Sequence, residues 1–201
     1  MKTFLTLFAS LMLATGFLGA GPSSSQAGMN PDAKLALDLQ ARSAKRHCAP
    51  TYPSLDAVQG TYDGSGYIDA IVVLYDYVGV TGVQYGLDFS SLAGWYFTGF
   101  VTCSDLDFQE QDSGTLYVEQ VWASCQRVDD LPDGDTVLGL GWLMVYGGEG
   151  EIRIVPSRMG ANMTSDCFFD TDVIQSAESG FVGGYMANES TTWGKVKALY
   201  R

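Results

Sequence analysis

Apolar side chains in this chain recur at every second position, and that period constrains its fold more than any other feature. Val83, Tyr85, Leu87 and Phe89 alternate with Gln84, Gly86 and Asp88, as in a strand buried on one face. Residues 68–77 are a longer β-branched and aromatic run, which predicts a central strand apolar on both faces. Further strands are predicted at 95–103, 106–109, 115–122, 137–146, 151–155 and 180–186. Turn chemistry separates them: Asp63-Gly64-Ser65-Gly66, Asp112-Ser113-Gly114, Pro132-Asp133-Gly134 and Tyr146-Gly147-Gly148. No repeat of fixed period is present, which disfavours a propeller or solenoid. About eight short strands and almost no helical period predict an all-β fold, a single antiparallel β-sandwich.

The front of the chain has a different character. Lys2 precedes an uncharged apolar run from Phe4 to Ala20, and small residues follow at Gly19-Ala20 and again at Ser25-Gln26-Ala27. These three parts match a cleaved secretory signal peptide, predicted as 1–27. Gly16 and Gly19 interrupt the run, and it is short for a spanning helix. No later segment is long and apolar enough to span a bilayer, so no transmembrane span is expected after signal removal. Cleavage after Ala27 leaves 174 of the 201 residues, enough for one domain with its own core. The expected location is outside the cytoplasm, secreted or on the cell surface, with a periplasm included.

Residues 28–47 are read as a leader segment, 48–187 as the sandwich and 188–201 as a short C-terminal tail. Asn30-Pro31-Asp32 is a helix-start signal, with Asn as N-cap and Pro at the first helical position. Leu35, Leu37 and Leu39 are nevertheless spaced by two, so a short helix and an extended leader both remain open. Cys48-Ala-Pro-Thr-Tyr-Pro53 then reads as a rigid, non-helical connection. All four cysteines lie past the signal, where an oxidising compartment lets them pair. Of the three possible pairings, the expectation is Cys103 with Cys125, as ends of neighbouring strands, and Cys48 with Cys167. No two cysteines are close enough in sequence for a zinc site.

The stretch 48–187 carries Arg127, Arg153 and Arg158 against twenty carboxylates, while basic residues flank it on both sides. Such a body repels phosphate backbones and anionic lipid, which argues against nucleic acid as a partner. Acidity of this kind keeps an exported domain soluble.

Catalysis has few candidates. The one histidine, His47, sits between Arg46 and Cys48 ahead of the first predicted strand, and its cationic neighbour works against a general base. No Gly-x-Ser-x-Gly elbow, P-loop or His-Glu-x-x-His occurs. A glycoside hydrolase with paired carboxylates would use Glu119 with Glu149 or Glu151, although an acid alternating with apolar residues is ordinarily a strand's solvated face. The expectation is therefore that the protein is not an enzyme and needs no cofactor.

A structural calcium is the one ion considered. Acidic loops lie at 105–112, 129–135 and 166–172, and the ligand set best suited is Asp129, Asp130, Asp133 and Asp135, since clustered hard oxygens suit that ion. None of the loops has the Asp-x-Asp-x-Asp-Gly spacing of an EF-hand. Aromatic rings are the other candidate for function. Eleven tyrosines and four tryptophans can stack on sugars or anchor an interface, and the predicted binding residues are Tyr96, Tyr117 and Trp122.

Two resemblances add to this reading. Val80-Thr-Gly-Val-Gln-Tyr-Gly-Leu-Asp-Phe89, between two apolar strands, resembles the second strand of cohesin-like and carbohydrate-binding β-sandwiches. Asn30-Pro-Asp-Ala-Lys-Leu-Ala-Leu37, Tyr85-Gly-Leu87, Phe100-Val-Thr-Cys-Ser-Asp-Leu106, Trp122-Ala-Ser-Cys125 and the ending Thr191-Thr-Trp-Gly-Lys-Val-Lys-Ala-Leu-Tyr-Arg201 resemble a set of secreted bacterial proteins with no assigned activity. The first resemblance implies a sandwich, and the second supplies no site residues. The tail is too short for a stable free helix and suits sorting or docking. The sequence thus predicts a non-catalytic binding module for a glycan or a cell-envelope protein. A structural surface component without a ligand, or the hydrolase, is the alternative.

Overall fold

A computed structural model of the chain describes residues 28–43, 48, 52, 54–131 and 135–183. The fold is all β, two packed sheets forming a sandwich. One sheet has five strands in the order β12 (Ser176–Ala177), β1 (Lys34–Ala41), β3 (Gly66–Tyr75), β8 (Leu138–Gly147) and β5 (Tyr96–Thr102). The second is built around β4 (Gly79–Asp88). Along one edge β4 pairs with β7 (Thr115–Arg127), which pairs in turn with β6 (Leu106–Asp112). Along its other edge it pairs first with β10 (Met163–Ser165) at 82–84 and then with β9 (Gly150–Val155) at 86–88. The short strands β11 (Thr171–Val173), β13 (Gly180–Val182) and β2 (Thr61–Tyr62) complete this sheet.

The alternation read from sequence becomes the core. Leu35, Leu37 and Leu39 of β1 and Ile68, Ala70, Val72 and Leu74 of β3 point inward. They meet Val83, Tyr85 and Leu87 of β4 and Leu116, Val118 and Trp122 of β7. Strand β1 resolves the two readings of its segment in favour of the extended one: it lies antiparallel to β3 along its whole length. The helix-start residues form a turn instead, with the Ala33 amide donating to the Asn30 carbonyl at 3.1 Å. Turn chemistry holds at the β6–β7 hairpin, where Ser113 and Gly114 both have positive φ (46° and 92°), as a two-residue type I′ turn requires.

The disulfides correct the expected pairing. Cys48 bonds to Cys103 and Cys125 to Cys167, each with Cα atoms 5.2 Å apart. Cys103 follows β5 in the five-stranded sheet, whereas Cys125 lies in β7 of the other. Sequence neighbours were thereby separated, and each cysteine pairs with one on its own side of the sandwich. On chain entropy alone, closing loops of 55 and 42 residues stabilises the fold by about 4 kcal/mol each.

Candidate binding surface

The outer face of the five-stranded sheet is divided into a covered half and an open end. Ile71, Val73 and Tyr75 of β3, with Trp142 of β8 and Ala36 of β1, point away from the main core yet are buried. Tyr52 and Val58 cover them, together with the half-buried Leu55 and the Cys48–Cys103 bridge. This cover is fastened to Asp38, only 1 % exposed. The Asp38 carboxylate accepts the Tyr52 hydroxyl at 2.8 Å, the Gln59 amide at 2.8 Å and the Gln40 side-chain amide at 2.6 Å. Burial, reinforced by the Asp38 charge and hydrogen bond, pushes the Tyr52 phenol far above its ordinary pKa.

At the open end three tyrosines stand side by side. Register places Tyr146 of β8 opposite Tyr67 of β3 on one side and opposite Tyr96 of β5 on the other. Their exposures are 38 %, 48 % and 46 %. Tyr96 and Tyr146 stack with centroids 5.0 Å apart, and Tyr67 meets Tyr146 edge-on at 5.2 Å. The Tyr67 and Tyr96 hydroxyls share a hydrogen bond of 2.8 Å. The Arg42 guanidinium lies 5.4 Å from the Tyr67 ring centre, within cation–π range. The hydrogen bond to Tyr67, aided by partial desolvation, raises the Tyr96 pKa. The result is a fixed ledge of phenol rings rimmed by hydroxyls and one cation, able to pack against an apolar face while hydrogen-bonding at its edge.

The predicted binding residues do not come together. Tyr96 belongs to this ledge. Tyr117 is on β7 in the other sheet, half-buried beneath the Arg158 guanidinium, whose carbon is 5.7 Å from its ring centre. Trp122 is 6 % exposed and its indole N–H donates to the Cys103 carbonyl at 3.1 Å. It is a core residue, which corrects its placement on an exposed surface. Parity carried the signal, because Trp122 shares the inward positions of Leu116 and Val118. Tyr67 and Tyr146 were missed because each stands at the edge of a predicted strand, beside a glycine turn.

Three of the acidic residues in the loops considered for calcium, Asp105, Asp166 and Asp172, accept backbone amides. Asp129 and Asp130 are exposed on a single 3-10 turn, Val128–Asp130, and Asp135 is buried. Asp133 lies outside the described residues. Asp105 accepts the Ala123 amide, and Asp166 accepts the amides of Phe168 and Asp170. Among the described residues no three acidic, histidine or cysteine side chains are grouped to hold a metal. His47 and the tail 188–201 also fall outside the described residues.

The carboxylate pair fails on distance. Glu119 is opposite Gln84, whereas Arg153 is opposite Asp88, so Glu151 lies past the end of β4. Six residues of strand correspond to about 20 Å, against roughly 5 to 9.5 Å for a glycosidase pair. Glu149 precedes β9 and is two residues farther past that end.

A second exposed apolar surface lies on the outer face of the other sheet. Leu106 of β6 is opposite Val121 of β7 and next to Phe108 on the same face, with exposures of 55 %, 44 % and 61 %.

Comparison with known proteins supplies likenesses of fold. No family model matches the chain, and no curated protein matches it in sequence. Similar solved structures are cohesin modules. A type II cohesin domain from the cellulosome of Acetivibrio cellulolyticus has 11% identity and a TM-score of 0.47, covering 80% of this chain and 100% of its own. A non-cellulosomal cohesin from the archaeon Archaeoglobus fulgidus has 6% identity and a TM-score of 0.45, covering 79% and 94%. A cohesin–dockerin complex from Clostridium thermocellum has 8% identity and a TM-score of 0.44, covering 77% and 94%. Among the described residues no helix is long and apolar enough to cross a membrane.

Proposed function

We propose that the protein is a non-catalytic binding module that takes a glycan on the ledge formed by Tyr67, Tyr96 and Tyr146. The observation that carries this reading is their adjacency: three rings on three neighbouring strands, fixed by register and each more than a third exposed. A pyranose presents a C–H face to such rings and equatorial hydroxyls to their rim, where the phenol oxygens and Arg42 accept and donate. A glycan array of broad composition tests it. Retained sugars are expected, with Tyr96→Ala and Tyr67→Ala each weakening binding about tenfold, as loss of a stacked ring does. No retained sugar in any class overturns the reading.

The exposed Leu106, Phe108 and Val121 favour a second one, a protein of the cell envelope docked on β6 and β7. Capture of one envelope protein that Phe108→Asp abolishes and Tyr96→Ala leaves intact would decide for it.

A further inference from the structure

Residues 28–30, the first described, are held by their backbone nitrogens. The Gly28 nitrogen donates to Asp172 Oδ1 at 2.9 Å, the Met29 amide to Asp166 Oδ2 at 3.0 Å and the Asn30 amide to Asp172 Oδ2 at 2.8 Å. The Asn30 side chain completes the anchorage: its amide donates to the Gly79 carbonyl at 2.8 Å, and its oxygen accepts the Val78 amide at 2.9 Å. Asp166 and Asp172 are 1 % and 8 % exposed, and among the described residues neither forms a salt bridge. Two carboxylates buried without a counter-charge are costly. Gly28 fits its place closely, since a Cβ there would lie 2.2 Å from Asp172 Oδ2.

Ser25-Gln26-Ala27 immediately precedes Gly28 and has the small residues that a leader-removing protease of the export route requires. We infer that the chain is processed at the Ala27–Gly28 bond and that the α-ammonium group so released is seated on Asp172 as a structural ion pair. Hydrolysis consumes one water: the Ala27 carbonyl takes the hydroxyl and leaves as a carboxylate, and the Gly28 nitrogen gains the protons and becomes an ammonium. One amide donor is thereby replaced by a cation with three N–H groups at the same position. It supplies a counter-charge to the buried Asp172, in a charge-assisted hydrogen bond. Removal of the leader and completion of the fold are then one event, independent of what the module binds.

The test uses the full 201-residue chain, exported from a bacterial host under its own leader. Intact mass and N-terminal sequencing of the recovered protein are expected to give Gly28 as the first residue. Three variants are made in the same full-length background: a Ser-Gly insertion between Ala27 and Gly28, which displaces the new terminus but keeps the upstream cleavage signal; Asp172→Asn; and both together. The insertion is expected to raise the unfolding constant about tenfold with Asp172 present and less than about twofold with Asn in its place, the signature of a coupled pair. A different first residue, or an insertion penalty that is absent or the same in both backgrounds, overturns the inference. Should Asp172→Asn fail to fold, the wild type decides alone. Its α-amine is expected to acylate at least about tenfold more slowly when native than when unfolded in urea, and equal rates overturn the inference.

Discussion

Gln120 of β7 donates its side-chain amide to the Leu140 carbonyl of β8 at 2.7 Å, a hydrogen bond that crosses from one sheet to the other through the core. Strand β8 carries an irregularity at this point. Val72 is opposite Gly141 and Val73 opposite Gly139, so Leu140 between them is skipped by β3. Its carbonyl accepts from Cys103 as well, at 2.8 Å. Gln120 in turn accepts the hydroxyl of the fully buried Tyr85 at 3.1 Å.

Replacing Gln120 by Leu therefore strands the buried Tyr85 hydroxyl and removes one of the two donors to the Leu140 carbonyl. The expected cost is about 1 to 3 kcal/mol, read as a lower urea midpoint. Tyr85→Phe combined with Gln120→Leu is expected to recover part of it, because the orphaned hydroxyl is gone. A double variant as unstable as the sum of the single ones would refute the link.

Asp38 holds the cover over the outer face, and Asp38→Ala leaves the Tyr52 hydroxyl and the Gln59 amide without their acceptor. A loss of about 2 to 4 kcal/mol is expected, with faster hydrogen exchange at the Gln59 amide. A variant as stable as the wild type would show that the cover is held by packing and the disulfide alone.

Alkaline pH is expected to destabilise the fold from about pH 10 upward. Burial raises the phenol pKa of Tyr52, Tyr75, Tyr77 and Tyr85. The unfolded chain releases these protons near pH 10 while the folded chain keeps them. Their contribution is complete below that pH and is lost as pH rises toward the folded values. Urea midpoints measured from pH 8 to pH 11 are expected to be level at first and then to fall. Constant stability across that range would count against buried neutral phenols.

The acid side rests on Asp88. Burial pushes its carboxyl up, but hydrogen bonds from Ser90 and Arg153 outweigh this and hold the pKa below the ordinary value. Stability from this group is complete above about pH 4 and disappears as pH falls through the lowered value. Arg153→Met is expected to reduce stability at pH 6 by about 1 kcal/mol, the Arg153 side chain being half exposed, and to leave stability at pH 2 unchanged. An equal loss at both pH values would point to packing instead of charge.

Period two made the long strands legible: the eight predicted segments each overlap an observed strand, from β3 to β13, the last segment running on past the described residues. Five short or terminal strands, among them β1, β2 and β10, were not read as strands. Strands of two or three residues have too little sequence to show a period. Over β1 the helix-start signal of Asn30 and Pro31 competed with the spacing of Leu35, Leu37 and Leu39, and tertiary pairing with β3 decided for the spacing. The disulfides depend on which sheet each strand joins, and local pattern does not carry that. Of the three ledge tyrosines, only Tyr96 was singled out from sequence, because it stands in a strongly aromatic strand. Its partners Tyr67 and Tyr146 are distant in sequence, and only the register of β3, β8 and β5 brings them together.

Strand β6 has a consequence beyond its own hairpin. Among the described strands it pairs with β7 alone, so its far side has no partner strand. Asp107, Glu110 and Asp112 sit along it, and a second copy approaching edge to edge would set these carboxylates against its own. Acidic residues on a free margin of this kind discourage edge-to-edge stacking into fibres, beside a face where Leu106 and Phe108 are exposed.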